Sequence, residues 1–121
     1  MNAKGDNEML TLPIKKEWFD MILTGDKKEE YREIKPYYTK RFQKIGLIDD
    51  NGIETNKKVD IALRNGYSAN DPTMNVSVSM RIGQGKKEWG AEEGIRYYCL
   101  EINRIHNLVV NKTIFYQNIR G

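Results

Sequence analysis

Lys27, Glu30 and Arg32 are the residues best suited to chemistry in this 121-residue chain. Lysine and arginine supply donors for a phosphate or a base edge, and the guanidinium offers them in a fixed fork that matches phosphate oxygens. A glutamate beside them can orient the guanidinium, accept from a base amino group, or take a proton as a general base. All three stand in Gly25-Asp26-Lys27-Lys28-Glu29-Glu30-Tyr31-Arg32, and seven of the nine residues from Lys27 to Lys35 are charged. Read as a strand, Lys28, Glu30 and Arg32 face one way and Glu29 and Glu33 the other. Such a strand, fixed to an apolar helix, makes the wall of a polar cleft. The same pattern also suits a solvated edge strand whose charges block sheet-to-sheet pairing, and surface ion pairs of that kind contribute only ~0–1 kcal/mol.

Trp89 stands with Lys86 and Lys87 in a glycine-punctuated stretch from Gly83 to Gly94. An indole there is either a surface for base stacking, worth ~1–3 kcal/mol per base, or an anchor that folds the loop back on the domain. Tyr31, Tyr37, Tyr38 and Tyr67 add rings near the charged strand, or pack as ordinary tyrosines do. His106 is the only histidine, and its neighbours predict an exposed turn at a strand's end. With one histidine and one cysteine, zinc sites built on several such ligands are excluded, and no metal or cofactor is expected. A Ser-His-Asp or Cys-His group would have to use His106, and nothing around it supports that. The Gly83–Gly94 stretch lacks the spacing and the hydroxyl of a phosphate-binding P-loop. The acidic run Asp49-Asp50 lacks the spaced ligands of a calcium loop.

These residues must be positioned by a small set of elements. Leu10, Leu12 and Ile14 alternate in a short strand ended by Pro13. Lys16 to Thr24 has helical spacing, with Trp18, Met21 and Ile22 predicted to face the core. Gly25 sits where a helix stops in the left-handed conformation. Pro36 opens a second helix to about Lys44. Asn51-Gly52 predicts a type I′ hairpin. Val59–Leu63, Val76–Ile82 and Tyr98–Ile102 alternate as strands that should share one curved sheet or barrel. Val109-Val110 and Ile114–Tyr116 read equally as a last strand or a short helix. Several short strands with two early helices give an α+β domain whose sheet closes into a small mixed barrel.

The length is that of one domain, placed at residues 9–121 behind a flexible lead-in at 1–8. Charged residues are 31% and apolar residues 39%, a globular rather than a disordered balance. No apolar run approaches the ~20 residues that span a bilayer, and Met1 to Glu8 lacks the apolar region of a signal peptide. Cys99 alone cannot form an internal disulfide, which fits a reducing cytoplasm. A net charge of +3 permits nucleic-acid binding without demanding it.

Gly25, Lys27, Glu30 and Arg32 fit the Gly-x-Lys-x-x-Glu-x-Arg signature of the ASCH domain, a family of PUA-like β-barrels mostly linked to RNA. Leu10-Thr11-Leu12 followed by Lys16–Ile22 resembles that family's first strand and helix. Glu29–Tyr38, Glu88-Trp89-Gly90-Ala91 and Tyr97–Ile102 resemble a subgroup seen in phage and bacterial genomes. The resemblance covers Met9 to about Ile105 and rests on these pieces standing in the right order. It implies an RNA or nucleotide-like ligand beside Lys27, Glu30 and Arg32, with Trp89 and Lys86 near it. Some members of the family remove an acyl group from a modified cytidine, and in that branch a threonine proposed as nucleophile stands where this chain has Glu30. A carboxylate does not replace a hydroxyl nucleophile in acyl transfer, though it can act as a base on water. The expectation is therefore a binding domain. The alternatives are a hydrolase of a modified nucleoside or an RNA phosphodiester using Lys27 and Glu30, and an accessory domain that binds another protein.

Overall fold

The computed structural model describes residues 9–116. The chain runs β1 (Thr11–Ile14), α1 (Lys16–Thr24), β2 (Glu29–Glu33), α2 (Pro36–Lys44), β3 (Val59–Asn65), β4 (Thr73–Gln84), a single 3-10 turn (Lys87–Trp89), β5 (Arg96–Val110) and β6 (Thr113–Tyr116). The strands form one mixed sheet in the order β1-β3-β4-β5-β2, with β6 added to β5. β1 lies parallel to β3 and all other pairs are antiparallel. The sheet curls into a half-barrel, and β1 and β2 are its two edges.

Both helices follow from local sequence. Gly25 ends α1 with φ of 89° and donates its N–H to Ile22 O at 3.0 Å. That conformation costs a residue without a Cβ nothing. Pro36 opens α2, where its missing N–H would have had no helical partner. α1 buries Phe19 and Ile22, while Trp18 and Met21 stay half-buried. The helix is therefore rotated from the expected Trp18/Met21/Ile22 face, and Trp18 is turned toward the edge of the sheet. α2 buries Phe42.

The core lies inside the curl. Ile61 and Leu63 of β3, Met74, Val76, Val78 and Met80 of β4, and Leu100 and Ile105 of β5 meet Leu12, Phe19, Ile22 and Phe42 there. β4 keeps strict alternation over this span. β5 does not. Between its pairings with Val78 and Ser77 it carries Asn103 as an extra residue, and between those with Val76 and Asn75 it carries His106. Each extra residue is a bulge that bends the strand and shifts its alternation. The inward positions therefore run Ile102, Ile105, Leu108, three residues apart. That explains why a strand of 15 residues, Arg96–Val110, read as only Tyr98–Ile102.

Two expectations about turns are corrected. His106 is not an exposed turn residue. It is a half-buried bulge residue within β5, with Nε2 2.9 Å from Asp60 Oδ1. Asn51-Gly52 is not a type I′ turn, because Asn51 keeps negative φ and only Gly52 is left-handed, at 80°. Asp49 Oδ1 accepts the backbone N–H groups of Asn51 and Ile53 and shapes this loop instead. The turn with two left-handed central residues is Asn111-Lys112, at 49° and 67°, which joins β5 to β6. The final segment is thus a strand. Among the described residues no helix is long and apolar enough to cross a membrane.

Candidate functional site

β2 is an edge strand, yet the charges at its centre are not solvated. Lys27 is 2% exposed and Glu30 5%. Glu30 and Arg32 lie two residues apart on one face, as period two requires. Glu30 Oε2 takes a short hydrogen bond from Arg32 Nη1, and Glu30 Oε1 lies 3.3 Å from Lys27 Nζ. One buried carboxylate therefore pairs with two cations. Lys27 precedes the strand, and the turn after Gly25 brings its ammonium around the free side of β2 to reach Glu30. There it donates to Trp89 O at 2.6 Å and lies 5.0 Å from the Trp18 ring centre and 4.9 Å from that of Tyr31. Burial lowers the Lys27 pKa below its ordinary 10.5, and Glu30 opposes the shift without cancelling it.

That direction has a consequence for stability. Over the window that ends at pH 10.5, unfolded Lys27 binds more protons than folded Lys27. Its penalty on folding is complete below the lowered pKa and fades as pH rises toward 10.5. The folded wild type should therefore gain stability relative to Lys27→Met as pH rises toward 10.5. Urea denaturation of both proteins across that range checks this. A difference that stays flat would show that Lys27 titrates normally.

Arg32 ties the two edges of the half-barrel together. Its Nη1 also donates to Tyr31 O at 2.9 Å, and its Nη2 donates to Pro13 O at 2.7 Å across the gap to β1. Thr11 and Pro13 direct their backbone away from β3, since Leu10 O is the atom that accepts from Ala62 N. The missing N–H of Pro13 thus falls on the open edge, where a ladder does not need it. Its carbonyl is left for Arg32. A guanidinium has five N–H donors. Three are used by Glu30, Tyr31 and Pro13, and two remain.

Arg32 and Glu30 line a cleft of about 600 Å³ at this junction. Its wall also includes Pro13, Lys15, Lys16, Trp18, Tyr38 and Tyr67. Tyr67, on the β3–β4 loop, is 88% exposed. Tyr38 approaches the Arg32 guanidinium at 5.8 Å from the ring centre. The cleft thus combines a fixed guanidinium and two lysines with four aromatic rings, Trp18, Tyr31, Tyr38 and Tyr67.

The other face of β2 holds the Gly83–Gly94 loop in place. Arg81 grips both oxygens of Glu29, with Nη2 at 2.8 Å and Nε at 3.2 Å, and Tyr31 donates its hydroxyl proton to Glu29 Oε1 at 2.8 Å. The Tyr31 hydroxyl accepts from Lys86 N at 2.9 Å, and burial pushes its pKa up. A Cβ at Gly85 would stand 2.5 Å from Tyr31 Cζ, so only glycine lets the loop lie this close. Trp89 donates its indole N–H to Asp26 O at 2.9 Å, and Lys86 Nζ sits 4.6 Å from its ring centre.

Of the residues singled out by sequence, Lys27, Glu30 and Arg32 come together. Trp89 and Lys86 stand behind Lys27 and do not line the cleft. Tyr31, Tyr38 and Tyr67 line it, whereas Tyr37 lies on the outer side of α2. Sequence reading did not place Pro13, Lys15, Lys16 or Trp18 in the site. The only signal for them was the run of Pro, Lys and Trp at the start of α1. Among the described residues no three His, Cys, Asp or Glu side chains gather in a way that would hold a metal ion. Comparison with protein-family models, curated proteins and solved structures finds no match to this chain.

Proposed function

We propose that this chain is an ASCH-type, PUA-like binding domain that works in the cytoplasm and holds single-stranded RNA or a nucleotide-like molecule in the cleft beside β2. The Gly25, Lys27, Glu30 and Arg32 signature, with its flanking pieces in order, supports the family. The curled mixed sheet is compatible with it. The observation that carries the reading is Arg32. Its guanidinium is fixed by Glu30, Tyr31 O and Pro13 O, and it lines a cleft that also holds Lys15, Lys16, Trp18, Tyr38 and Tyr67. Cations that track a backbone and rings on which bases stack are what single-stranded nucleic acid requires. Preorganisation of the fork lowers the cost of binding an anion.

The same geometry favours binding over hydrolysis. A general base needs a proton or a water within reach. Glu30 instead contacts Lys27 and Arg32 directly, and Lys27 is sealed by Trp18, Tyr31 and Trp89. In this reading Lys27 sets the position of Glu30, Glu30 sets Arg32, and Trp89 and Lys86 hold the loop that closes over Lys27.

The test is a titration of the full chain with nucleoside 5′-monophosphates and with a mixed-sequence single-stranded RNA, read by tryptophan fluorescence because Trp18 lines the cleft. Saturable binding without turnover of an acylated cytidine is expected. Steady deacylation would make the protein a hydrolase. Absence of any nucleotide or RNA binding would leave the cleft to a protein partner.

A further inference from the structure

A second feature lies next to the cleft. α2 carries no acidic residue, and Lys40, Arg41 and Lys44 line a groove of about 620 Å³ between this helix and the start of β1. The opposite wall is Met9, Leu10 and Thr11. No carboxylate among the described residues pairs with these three cations. Arg41 is held over the Tyr37 ring at 3.5 Å and donates to Tyr37 O at 2.8 Å, so its position is fixed without loss of charge.

The groove and the cleft are both bordered by α2 and by β1. Along α2, Tyr38 lines the cleft, and Arg41 and Lys44, three and six residues on, line the groove. Residues three apart are neighbours on a helix surface, so Tyr38, Arg41 and Lys44 form a row that turns gradually about the axis. Along β1, Pro13 lines the cleft and Thr11 the groove, and these two have the same parity in the strand. Six helical residues advance about 9 Å. A chain that leaves the cleft along this row would pass Arg41 and then Lys44.

We propose that the β1–α2 groove is a phosphate-tracking extension of the cleft, so that the ligand is a single-stranded RNA longer than a nucleotide, with its backbone running over Lys40, Arg41 and Lys44. This rests on the reading of the cleft as a nucleotide site. The cleft takes the terminal or flipped-out nucleotide, and the groove takes the phosphates that follow. A mononucleotide fills only the first part.

The experiment compares nucleoside 5′-monophosphates with mixed-sequence single-stranded RNAs from dinucleotide to octanucleotide. The proteins are the wild type, the triple variant Lys40→Gln/Arg41→Gln/Lys44→Gln, and a control with the same change of charge elsewhere, Lys57→Gln/Lys58→Gln/Lys112→Gln, whose lysines are exposed. Wild-type affinity should rise with length and then level off. The triple variant should keep mononucleotide affinity, lose the rise, and show a log–log salt slope shallower by about two, since each neutralised phosphate of a single strand contributes about 0.7. The control should behave as wild type. Mononucleotide binding with no length dependence, or an equal loss in the control, overturns the groove while the cleft stands. Failure of every nucleotide and RNA to bind the wild type overturns both.

Discussion

Replacing Glu30 by glutamine should destabilise the fold by about 3–5 kcal/mol, the range for a buried ion group that loses one partner. The shape hardly changes, so the loss is electrostatic. Glu30 is the only carboxylate within ion-pair distance of Lys27 or Arg32 among the described residues, and it is 5% exposed. Without its charge, the buried Lys27 and the largely buried Arg32 both lose their counter-ion. The double variant Lys27→Met/Glu30→Gln removes one of them and should recover part of the loss, although each change alone is destabilising. Urea denaturation of the four proteins in this cycle measures the coupling. A cost under about 1 kcal/mol for Glu30→Gln would place the pair among ordinary surface bridges.

Arg32→Lys should weaken binding of single-stranded RNA roughly ten- to hundredfold, because a hydrogen bond to a charged group is worth ~1.5–3 kcal/mol. The substitution keeps the charge and removes the fork. A lysine cannot hold Glu30 and Pro13 O and still present two aligned donors to the cleft. The salt slope should stay near its wild-type value, since no cation is lost. This separates the variant from the charge removals in the α2 groove, which change the slope. Equal affinity in a folded Arg32→Lys protein would move the anion contact away from β2.

The fold and the site were legible in the sequence to different extents, for physical reasons. α1 and α2 have helical spacing bounded by Gly25 and Pro36, and the structure gives them the expected ends. β3 and β4 alternate cleanly and were read as strands. β5 was cut short because the bulges at Asn103 and His106 break period two, and nothing local announces a bulge. Lys112 in a left-handed turn goes against its preference, so the final hairpin was hidden while Asn51-Gly52 was overread. Glu30 and Arg32 share a face by parity alone. Lys27 joins them only because it lies before the strand and wraps its edge. Trp18 falls on the helical stripe of α1 but sits half-buried at the cleft, because a helical stripe does not show where a sheet ends. Pro13 and Tyr67 enter the site because the two edges of a curled sheet meet, and that contact is set by tertiary closure.

The central claim, that RNA or a nucleotide is held by the fixed guanidinium at the closure of the two sheet edges, is tested most directly by nitrogen–proton NMR during titration of the labelled full chain with single-stranded RNA. The Arg32 Nε–H resonance should shift and sharpen as the site fills, together with the amides of Ile14, Tyr31 and Tyr67 around the cleft. An Arg32 Nε–H that stays unmoved at saturation, with shifts confined to other parts of the sheet, would contradict the account.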